Sequence, residues 1–513
     1  MKKLTHIFLY LLSIQQIAFC QGGWIHKHKL PSSLSSCSQN VIESPNGNFI
    51  TIGNSSDTVA GKLISKLTIE ITDSKGNFIS LKSYGQEQFQ YVMSSKAIRA
   101  AVFKDSNSFY YCGVVKSNFS HFFGALIKFN YYGDTIWQKT FIDTSEDLIP
   151  HGISKNLENN FLLTGAFQNR TTGAILTMIL KTDSNGNEIW RKKIHKNNPD
   201  WSYGNSILQD SSTKEIIIVG GQAVINGNSW QWESNVLKVD SSGNLIFQKS
   251  LNNFGAGHFL NLIQLQDKSF LTCGSWTDHY TQNDNWQQCY IVKFDINGNL
   301  IWSKKKFNVT PYNYFTQAIE LSNGNIVVAG ALDTGLTQTG YYHIRTCLLK
   351  LNKSGDLISQ RYIGQSFASE IDEYPLSLAS TSDNGFIIAS MFPTLNDPTP
   401  FNIIKVDSSF CDTSALWCQS LALGLNERLS PEPTMHLFPN PANSLLRVRL
   451  GQQPSFNSVI IISDLSGRQI QTIHPEKETD FNINTNNYPN GLYLVQLFTN
   501  NLLVDTKKIA IAH

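Results

Sequence analysis

Short apolar runs alternate with polar turn residues along the chain between Trp24 and Asp407. One recurring half, such as residues 319–330 (IELSNGNIVVAG), is an apolar run that ends in small residues. The other half, such as residues 293–304 (KFDINGNLIWSK), places Asn-Gly between two apolar segments. Apolar segments joined by Asn-Gly or Ser-Gly turns are typical of β-hairpins, and the 3.6-residue periodicity of helices is absent. The pattern predicts an all-β fold.

The two halves form one unit that occurs seven times. An Asp or Asn opens the second turn of each unit, at intervals of 53 to 57 residues. Four strands per unit at such a period are typical of a β-propeller blade. We therefore predict a seven-bladed β-propeller over residues 21–422. The opening residues are Asp73, Asn130, Asp183, Asp240, Asp295, Asn352 and Asp407.

The second turn of each unit has further recurring positions. The repeated Asp is expected to form an Asx turn, not a calcium or acid–base site. Three residues later comes a glycine suited to positive φ, except in the seventh unit, which has Phe410. An aromatic residue follows four residues later in most units and is expected to pack between blades. The glycines are Gly76, Gly133, Gly186, Gly243, Gly298 and Gly355, and the aromatic residues are Trp137, Trp190, Phe247 and Trp302.

The seventh unit stops at Asp407, before its fourth strand. A matching strand occurs at the other end of the region, where residues 24–27 (WIHK) resemble residues 190–193 (WRKK) and 302–305 (WSKK). We predict that strand 24–30 completes the last blade, which closes the ring without an exposed sheet edge.

Residues 1–20 have the features of a secretory signal peptide. Lys2 and Lys3 precede an apolar stretch from 7 to 19, and small residues Ala18 and Cys20 suit cleavage before Gln21. The alternative is a lipoprotein with an acylated Cys20, although a bulky Phe19 precedes it. No later stretch is long enough for a transmembrane helix.

The repeat ends after Cys418, and residues 423–433 are polar and contain prolines, as expected of a linker. Residues 434–513 then alternate short strands with turns. They contain LFPNPA at 437–442, DLSGR at 464–468, NGLYLV at 490–495 and KIA at 508–510. In order and spacing, these four motifs resemble the C-terminal sorting domain of the type IX secretion system.

That resemblance implies a small Ig-like β-sandwich of the kind carried by cargo proteins of Bacteroidetes-type bacteria. It implies transfer through the periplasm and across the outer membrane by the type IX secretion machinery, with the cargo released or held at the cell surface. The alternative is an ordinary carbohydrate-binding sandwich. The positions that match the sorting motifs are Pro439, Asn440, Pro441, Asp464, Gly467, Arg468, Gly491 and Tyr493.

Composition narrows the partners. Charged residues make up 16% of the chain and the formal net charge is +2, so no basic surface for nucleic acid is expected. The lysines of the repeats lie at strand ends and are expected to be solvated. The propeller region resembles no specific functional family, so its fold alone implies no activity.

Seven cysteines remain after removal of Cys20, so at least one is unpaired in an oxidising compartment. Cys411 could pair with Cys418 or with Cys37, and Cys273 could pair with Cys289. No pair has the CxxC spacing of a zinc site, and we expect no metal and no other cofactor. Cys112 and Cys347 are expected at buried apolar positions.

Both tight turns of each blade must lie on one face of the propeller. The loops between second and third strands, and the connections between blades, must lie on the other face, here called the loop face. The long irregular segments all belong to the loop face, and such converging loops commonly bind ligands. Its aromatic residues are Trp201, Tyr203, Trp230, Trp232, Trp276, Tyr280, Trp286, Tyr312, Tyr314, Tyr341 and Tyr342.

Amphipathic aromatic residues among Asn, Gln and His suit stacking on sugar rings, and they suit a protein interface equally. Individual members could instead pack loops onto the blades. We therefore expect a secreted or cell-surface protein whose loop face binds a glycan or a protein. The alternatives are an extracellular polysaccharide hydrolase or lyase, and a structural or adhesion spacer.

Signals for catalysis are weak, because no hydrolase, metalloprotease or phosphate-binding motif is present. A polysaccharide hydrolase would need paired carboxylates near the mouth of the ring. By location alone the candidates are Asp143, Glu146, Asp147, Asp200, Glu233, Asp278, Asp284, Glu370, Asp372 and Glu373, with His151, His258, His279 and His343 nearby.

Deletion of residues 24–30 should leave the last blade incomplete and expose a sheet edge, so we expect unfolding or aggregation. Thermal unfolding and size-exclusion chromatography of the truncated chain measure this. An unchanged unfolding temperature would contradict closure by this strand.

Overall fold

The structure is a computed structural model in which the chain divides into two compact units, Met1–Thr413 and Ser414–His513. The predicted signal peptide and the linker at 423–433 lie outside the described residues. The structure describes residues 23–28, 30, 33–59, 61–87, 89–92, 101–117, 121–194, 201–226, 229–251, 256–277, 288–305, 313–336, 342–363, 372–391, 400–411, 435–451, 458–464, 469–475, 478–499 and 502–513.

Within these ranges the first unit contains seven antiparallel sheets, and we number the blades in chain order. In blades 1 and 3 to 6, four strands follow one another from the innermost to the outermost. Blade 1 has β2 (Ser33–Glu43), β3 (Phe49–Val59), β4 (Lys62–Thr72) and β5 (Phe78–Tyr84). Blade 2 has β6 (Phe89–Val92) and β7 (Ala101–Lys104), which both pair with β8 (Ser108–Ser117), then β9 (Phe122–Asn130) and β10 (Thr135–Phe141).

The next four blades repeat this order. Blade 3 has β11 (Glu146–Lys155), β12 (Phe161–Asn169), β13 (Ile175–Thr182) and β14 (Glu188–Ile194). Blade 4 has β15 (Ser202–Gln209), β16 (Ile216–Asn226), β17 (Ser229–Val239) and β18 (Leu245–Ser250). Blade 5 has β19 (Ala256–Gln264), β20 (Phe270–Thr277), β21 (Gln288–Phe294) and β22 (Leu300–Lys305). Blade 6 has β23 (Tyr314–Glu320), β24 (Ile326–Leu336), β25 (Tyr342–Leu351) and β26 (Leu357–Tyr362).

Blade 7 joins the two ends of the repeat region. Its strands β27 (Tyr374–Ser380), β28 (Phe386–Met391) and β29 (Phe401–Val406) are followed in space by β1 (Trp24–His28). β1 runs antiparallel to β29, with Trp24 opposite Lys405 and His28 opposite Phe401. β2 of blade 1 in turn contacts β27 and β28. The architecture is a seven-bladed β-propeller, as the repeat predicted.

The strand order explains the unequal hydrophobicity of the four strands. A middle strand such as β29 is buried along its whole length, because its sheet is covered on both faces by neighbouring blades. The apolar clusters accordingly combine two blades each, for example Ile50 and Ile69 with Phe109 and Phe129. The outermost strands have only exposed and half-buried side chains, as in β18 and β22.

The recurring aromatic residue lies on the recurring glycine of the next blade. A Cβ on Gly186 would lie 2.7 Å from the Trp137 ring, and a Cβ on Gly355 would lie 2.8 Å from Trp302. Trp24 covers Gly76 in the same way where the ring closes, since a Cβ on Gly76 would lie 2.7 Å from the Trp24 ring. Glycine is needed there for its positive φ and because an aromatic ring occupies the space beside it.

The seventh unit departs from this arrangement. Blade 6 has Ser359 where most blades have the aromatic residue, so this position supplies no ring to the next turn. Phe410 replaces the glycine there at a φ of 65°, and its side chain is buried against Phe386 with a ring separation of 5.5 Å. Blade 1 also lacks the aromatic residue, with Ser80 at that position, yet the next turn keeps Gly133. The missing ring therefore leaves space for a side chain at the next turn but does not require one.

The Asx turns are confirmed. In one example, Asp183 Oδ1 accepts hydrogen bonds from the backbone amides of Asn185 and Asn187 at 2.9 and 2.8 Å. Oδ2 accepts from the Asn187 side chain at 2.9 Å. The same set recurs at Asp73, Asp240 and Asp295.

The expectation that the repeat lysines are solvated is wrong for three of them. Lys238, Lys293 and Lys405 are only 6%, 8% and 3% exposed. Each reaches a carboxylate in or beside the first turn of its own blade, for example Lys293 Nζ to Asp267 Oδ2 at 2.6 Å and Lys405 Nζ to Asp383 Oδ2 at 2.8 Å. The stem is buried between blades while the charge is paired at the surface, so these lysines connect the two tight turns of a blade.

The described cysteines form no disulfide with one another and are buried thiols. The possible bridges Cys273–Cys289 and Cys37–Cys411 are therefore not present. Cys273 pairs across the strands with Ile291, and Cys289 pairs with Ser275, so the two cysteines are diagonal neighbours. Diagonal separations of roughly 7–8 Å exceed the Cα separation of a disulfide. The Cys411–Cys418 pair falls partly outside the described residues.

The second unit consists of two small sheets around one apolar cluster, as expected of a sandwich. One sheet has the order β30 (Met435–Phe438), β31 (Leu445–Leu450), β34 (Asp480–Asn484). The other has the order β33 (Gln469–Ile473), β32 (Ser458–Asp464), β35 (Gly491–Thr499), β36 (Leu502–Ile511).

The Pro-Asn-Pro motif holds the last strand of this unit. Cis peptide bonds precede Pro439 and Pro441. Between them, Asn440 donates from Nδ2 to the Lys508 carbonyl at 3.1 Å and accepts from the Ala510 amide at 2.8 Å. Within the second sheet, Asp464 pairs across the strands with Tyr493, whose hydroxyl donates to the Pro489 carbonyl at 2.7 Å. Gly491 starts β35, whereas Gly467 and Arg468 lie outside the described residues.

Replacing Gly186 with alanine should destabilise the protein more than replacing Gly133. Both have positive φ, which costs about 1–2 kcal/mol for alanine. Only Gly186 is covered by an aromatic ring, because the nearest atom to a Cβ on Gly133 lies 3.4 Å away. Overpacking should add about 1–3 kcal/mol for Gly186→Ala, measured by urea unfolding. Equal losses in the two variants would contradict the covering role of Trp137.

Candidate functional site

The innermost strands share a β-bulge toward their loop-face ends. The register shifts between Pro150 and Gly152 in blade 3, between Gly204 and Ser206 in blade 4, and between Phe259 and Asn261 in blade 5. A bulge inserts one residue and redirects its side chain. In blades 3 and 4 the inserted residues are His151 and Asn205.

Both inserted side chains bind the next blade. The His151 ring bonds through Nδ1 to the Gly204 carbonyl at 3.1 Å, and Asn205 donates to the Phe259 carbonyl at 2.8 Å. Gly204 and Phe259 precede the bulges of their own strands, so the two contacts are equivalent. His151 is buried and lies 53 residues from its partner, which marks it as a residue that joins blades.

An aromatic cluster lies beside this row. The Tyr203 hydroxyl and His258 Nδ1 are 2.6 Å apart, and their rings stack at a centroid distance of 5.8 Å. Trp232 contacts both rings, at 5.3 Å from Tyr203 and 5.4 Å from His258. Together with Trp201, these side chains form what we call the aromatic platform (Trp201, Tyr203, Trp232 and His258).

The floor of the aromatic platform is made of small residues. A Cβ on Gly221 would lie 2.7 Å from His258 Nδ1, so this position must be glycine for the histidine to approach. Ala223 lies opposite Trp232 in the strand register, and its amide donates to the Trp201 carbonyl at 2.7 Å. Trp201, Ala223 and Trp232 therefore form one row across three strands, with the indoles at its ends.

Trp201 differs from the other members in its exposure. Its side chain is 43% exposed, whereas Tyr203 and Trp232 are half-buried. Its backbone is held on two sides, by the bond from Ala223 and by a parallel bridge to Ile175 of blade 3. An exposed indole on a fixed backbone can contact a ligand with little loss of conformational entropy.

Burial shifts the titration of this region away from neutral pH. It lowers the pKa of His151 to about 4, against the opposing effect of bonds to Gly204 and Asn205. It also lowers the pKa of His258 to about 4 and raises the pKa of the Tyr203 phenol above its ordinary value. Both histidines are neutral at pH 7, and the pair of Tyr203 and His258 is poorly matched to proton transfer there.

The described carboxylates of blade 3 are engaged in ion pairs. Asp147 accepts from Arg170 Nε at 2.8 Å and from the Phe122 amide at 3.1 Å. Glu146 is 2.5 Å from Lys193 Nζ. Bonds from Ser145 lower the pKa of Asp143. These candidates have structural partners.

A second buried polar group lies at the start of β27. Glu373 is fully buried and accepts from Ser390 Oγ at 2.9 Å and Asn402 Nδ2 at 3.3 Å. Arg345 is 2% exposed, and burial lowers its pKa while the charges of Glu373 and Asp372 oppose that shift. Asp372 accepts from the Ile344 amide at 2.9 Å and from the Tyr374 hydroxyl at 3.1 Å. The group joins blades 6 and 7.

The remaining predicted residues are placed as follows. Tyr314 is half-buried and stacks on Tyr374 at 6.4 Å, so it does not belong to the aromatic platform. Glu233 accepts from Gln222 at 3.3 Å. Trp230, Trp276, Tyr342 and His343 lie in β17, β20 and β25, with side chains outside the description. The residues outside the described ranges are Asp200, Asp278, His279, Tyr280, Asp284, Trp286, Tyr312, Tyr341 and Glu370.

One group of possible metal ligands was missed by the sequence reasoning. His26, His28 and Glu70 converge where β1 meets blade 1, away from the loop face. The available signal was the His-x-His spacing in the closing strand, which places both rings on one side of a β-strand. Glu70 is 44 residues from His26, so only the closed ring brings it to them.

The family comparison identifies residues 436–512 as a secretion system C-terminal sorting domain. This agrees with the motifs and with the sandwich formed by β30 to β36. A sorting domain of this kind directs type IX export to the cell surface or the extracellular space, so the protein is exported. No helix among the described residues is long and apolar enough to span a membrane. The search of curated proteins found no match.

Solved structures similar to the chain share only low identity with it. A protein of unknown function from Dyadobacter fermentans is 10% identical, with a TM-score of 0.42, covering 75% of this chain and 98% of that one. The β-propeller domain of the Trilobed protease from Pyrococcus furiosus is 9% identical, with a TM-score of 0.41 and coverages of 77% and 98%. An α-L-arabinofuranosidase from Fusarium graminearum is 9% identical, with a TM-score of 0.40 and coverages of 65% and 99%.

His151 should make the propeller less stable in acid. Its pKa is about 4 in the folded state against an ordinary value of 6.5, so below pH 6.5 the unfolded chain takes up a proton that the folded chain excludes until about pH 4. The free energy of unfolding should fall across this window by an amount on the order of 3 kcal/mol from this group.

The matched variant is His151→Asn, which copies the asparagine that makes the equivalent bond in blade 4. It should reduce the slope of the pH dependence of urea unfolding between pH 6.5 and 4, and His258, whose pKa is also about 4, should keep part of that slope. His121→Gln, at a half-buried position in blade 2, should leave the slope as in the parent. An unchanged slope in His151→Asn would contradict the assignment.

Proposed function

We propose that this exported propeller is a binding protein whose aromatic platform takes an extended glycan. The observation that carries the proposal is the exposed indole of Trp201, held in one row with Ala223 and Trp232. Strands lie about 4.8 Å apart, so the Cα atoms at the two ends of the row are separated by roughly 10 Å. This separation leaves space for two aromatic surfaces with a shallow gap between them.

The chemistry of the platform supports a sugar ligand. Sugar rings present apolar C–H faces that stack on indoles and hydroxyls that need hydrogen-bond partners. The low content of charged residues, 16%, favours a neutral or weakly charged ligand.

A hydrolase or lyase on the same face is the second candidate, and the bond between Tyr203 and His258 is the observation that favours it. A tyrosine and a histidine in contact can serve as acid and base. Burial moves the pKa of each away from pH 7, however, and all resolved pKa shifts of carboxyl groups in the described residues are downward. The pair is better suited to holding the platform rigid, which supports binding over turnover.

Trp201→Ala should weaken glycan binding at least about tenfold, or about 1.4 kcal/mol, because the exposed stacking surface is lost. Stability should change little, since the side chain is 43% exposed. A glycan array followed by calorimetry on the best ligand measures this. The matched control is Tyr132→Ala, which removes a 72% exposed aromatic ring from the tight-turn face.

The outcomes separate the candidates. Binding that depends on Trp201 and not on Tyr132, without release of reducing or unsaturated sugars, supports the proposal. Release of sugars that His258→Gln abolishes would favour the enzyme. Absence of any glycan bound through Trp201 would overturn the proposal and leave a protein ligand or a spacer role.

A further inference from the structure

The closing strand presents two histidines to blade 1. Side chains alternate along β1, so Trp24, His26 and His28 face blade 1 while Ile25 packs in the apolar cluster of blades 6 and 7. Blade 1 presents Glu70, from near the end of β4, to the same seam. Its neighbours Ile69 and Ile71 point the other way, into the cluster shared with blade 2.

These three side chains meet within ligand distance of one another. His26 Nε2 lies 2.6 Å from Glu70 Oε1, and His28 Nδ1 lies 2.7 Å from Glu70 Oε2. The three potential ligand atoms all lie within 4.8 Å of one another. The Glu70 side chain is 1% exposed, whereas those of His26 and His28 are 15% and 26% exposed. The group therefore has a buried carboxyl group on its inner side and two partly exposed imidazole rings on the side toward solvent.

A buried hydroxyl lies next to the group. Thr51 is directly opposite Glu70 in the register of β3 and β4, so the two side chains share a face. Thr51 is 1% exposed, and its Oγ1 has no hydrogen-bond partner among the described residues. A buried hydroxyl without a partner is costly, and an ion-bound water would supply one.

The donor set is two imidazole nitrogens and one carboxylate oxygen. This combination suits Zn²⁺, which binds His nitrogen and Glu oxygen at about 2.0–2.2 Å, with water in a fourth position. Tetrahedral geometry at those lengths separates ligand atoms by roughly 3.3 Å. The two separations between histidine and glutamate, 2.6 and 2.7 Å, would have to lengthen by about 0.7 Å to reach it.

We propose that His26, His28 and Glu70 form a zinc site that fastens the closing strand to blade 1. The two histidines belong to blade 7 and the glutamate to blade 1, so one ion would connect the two ends of the repeat region. Metal binding would then add to the stability of the closed ring, because the three ligands come together only in the folded state. The inference is independent of the proposed glycan binding.

The site is tested on the purified protein after treatment with a chelator. Titration with Zn²⁺ by calorimetry should give one ion per chain, and Co²⁺ should give the strong visible absorption of a four-coordinate ion. The unfolding temperature should rise with added Zn²⁺. His28→Gln and Glu70→Gln should weaken binding by more than the roughly 10–100-fold that loss of an outer-shell partner costs.

The control variant is His436→Gln, which removes an exposed histidine from the sorting domain and should bind the ion as the parent does. His28 is the preferred ligand to replace, because a partly exposed side chain contributes less to folding than a buried one. The unfolding temperature of the His28→Gln variant without metal checks that it is folded. A parent protein that binds no stoichiometric ion, or a His28→Gln variant that binds it equally well, would overturn the site. Stoichiometric binding without a rise in unfolding temperature would overturn the fastening role.

Discussion

Each blade of this propeller is stable only when both of its faces are covered, and this requires a closed ring. The middle strands are apolar on both sides, so an uncovered blade would expose a continuous hydrophobic surface. The pairing of β1 with β29 supplies the last outer strand, and Trp24 of that strand covers Gly76 of blade 1. A five-residue strand thus completes the covering of both terminal blades.

The repeat made the architecture predictable because it records packing that recurs in every blade. The Asx turns, the glycines with positive φ and the aromatic residues all follow from sequence spacing. Phe410 marks a departure from the repeat, since a residue with a side chain takes the glycine position where Ser359 supplies no covering ring, whereas Gly133 is kept where Ser80 supplies none. The burial of Lys238, Lys293 and Lys405 was not predictable in this way, because their partners belong to other turns whose distance depends on the fold.

The location of the loop face was predictable from the sequence, but the set of residues that come together on it was predictable only in part. Topology fixes which strand ends it contains. Tyr203 and Trp232 are in contact there, and Trp201 lies in the same row through its bond to Ala223. The role of His151 could not be read from the chain, since its bond to Gly204 depends on a bulge in one strand and on the next blade. The approach of His258 to the platform requires the absence of a side chain at Gly221. Gly221 does not belong to the glycines that recur in the turns, so the repeat pattern did not indicate this contact. Spacing within one blade therefore does not predict which side chains of two neighbouring blades come into contact.

The bulges link the candidate site to the innermost strands of the neighbouring blades. They turn polar side chains of one inner strand toward the backbone of the next, as His151 and Asn205 do, and the aromatic platform lies on those strands. A ligand on the platform would therefore contact blades that are already bonded to one another, with little left to order on binding. Such a surface suits recognition of a fixed shape, and its specificity would reside in Trp201 and the groups around it, not in movement of the blades.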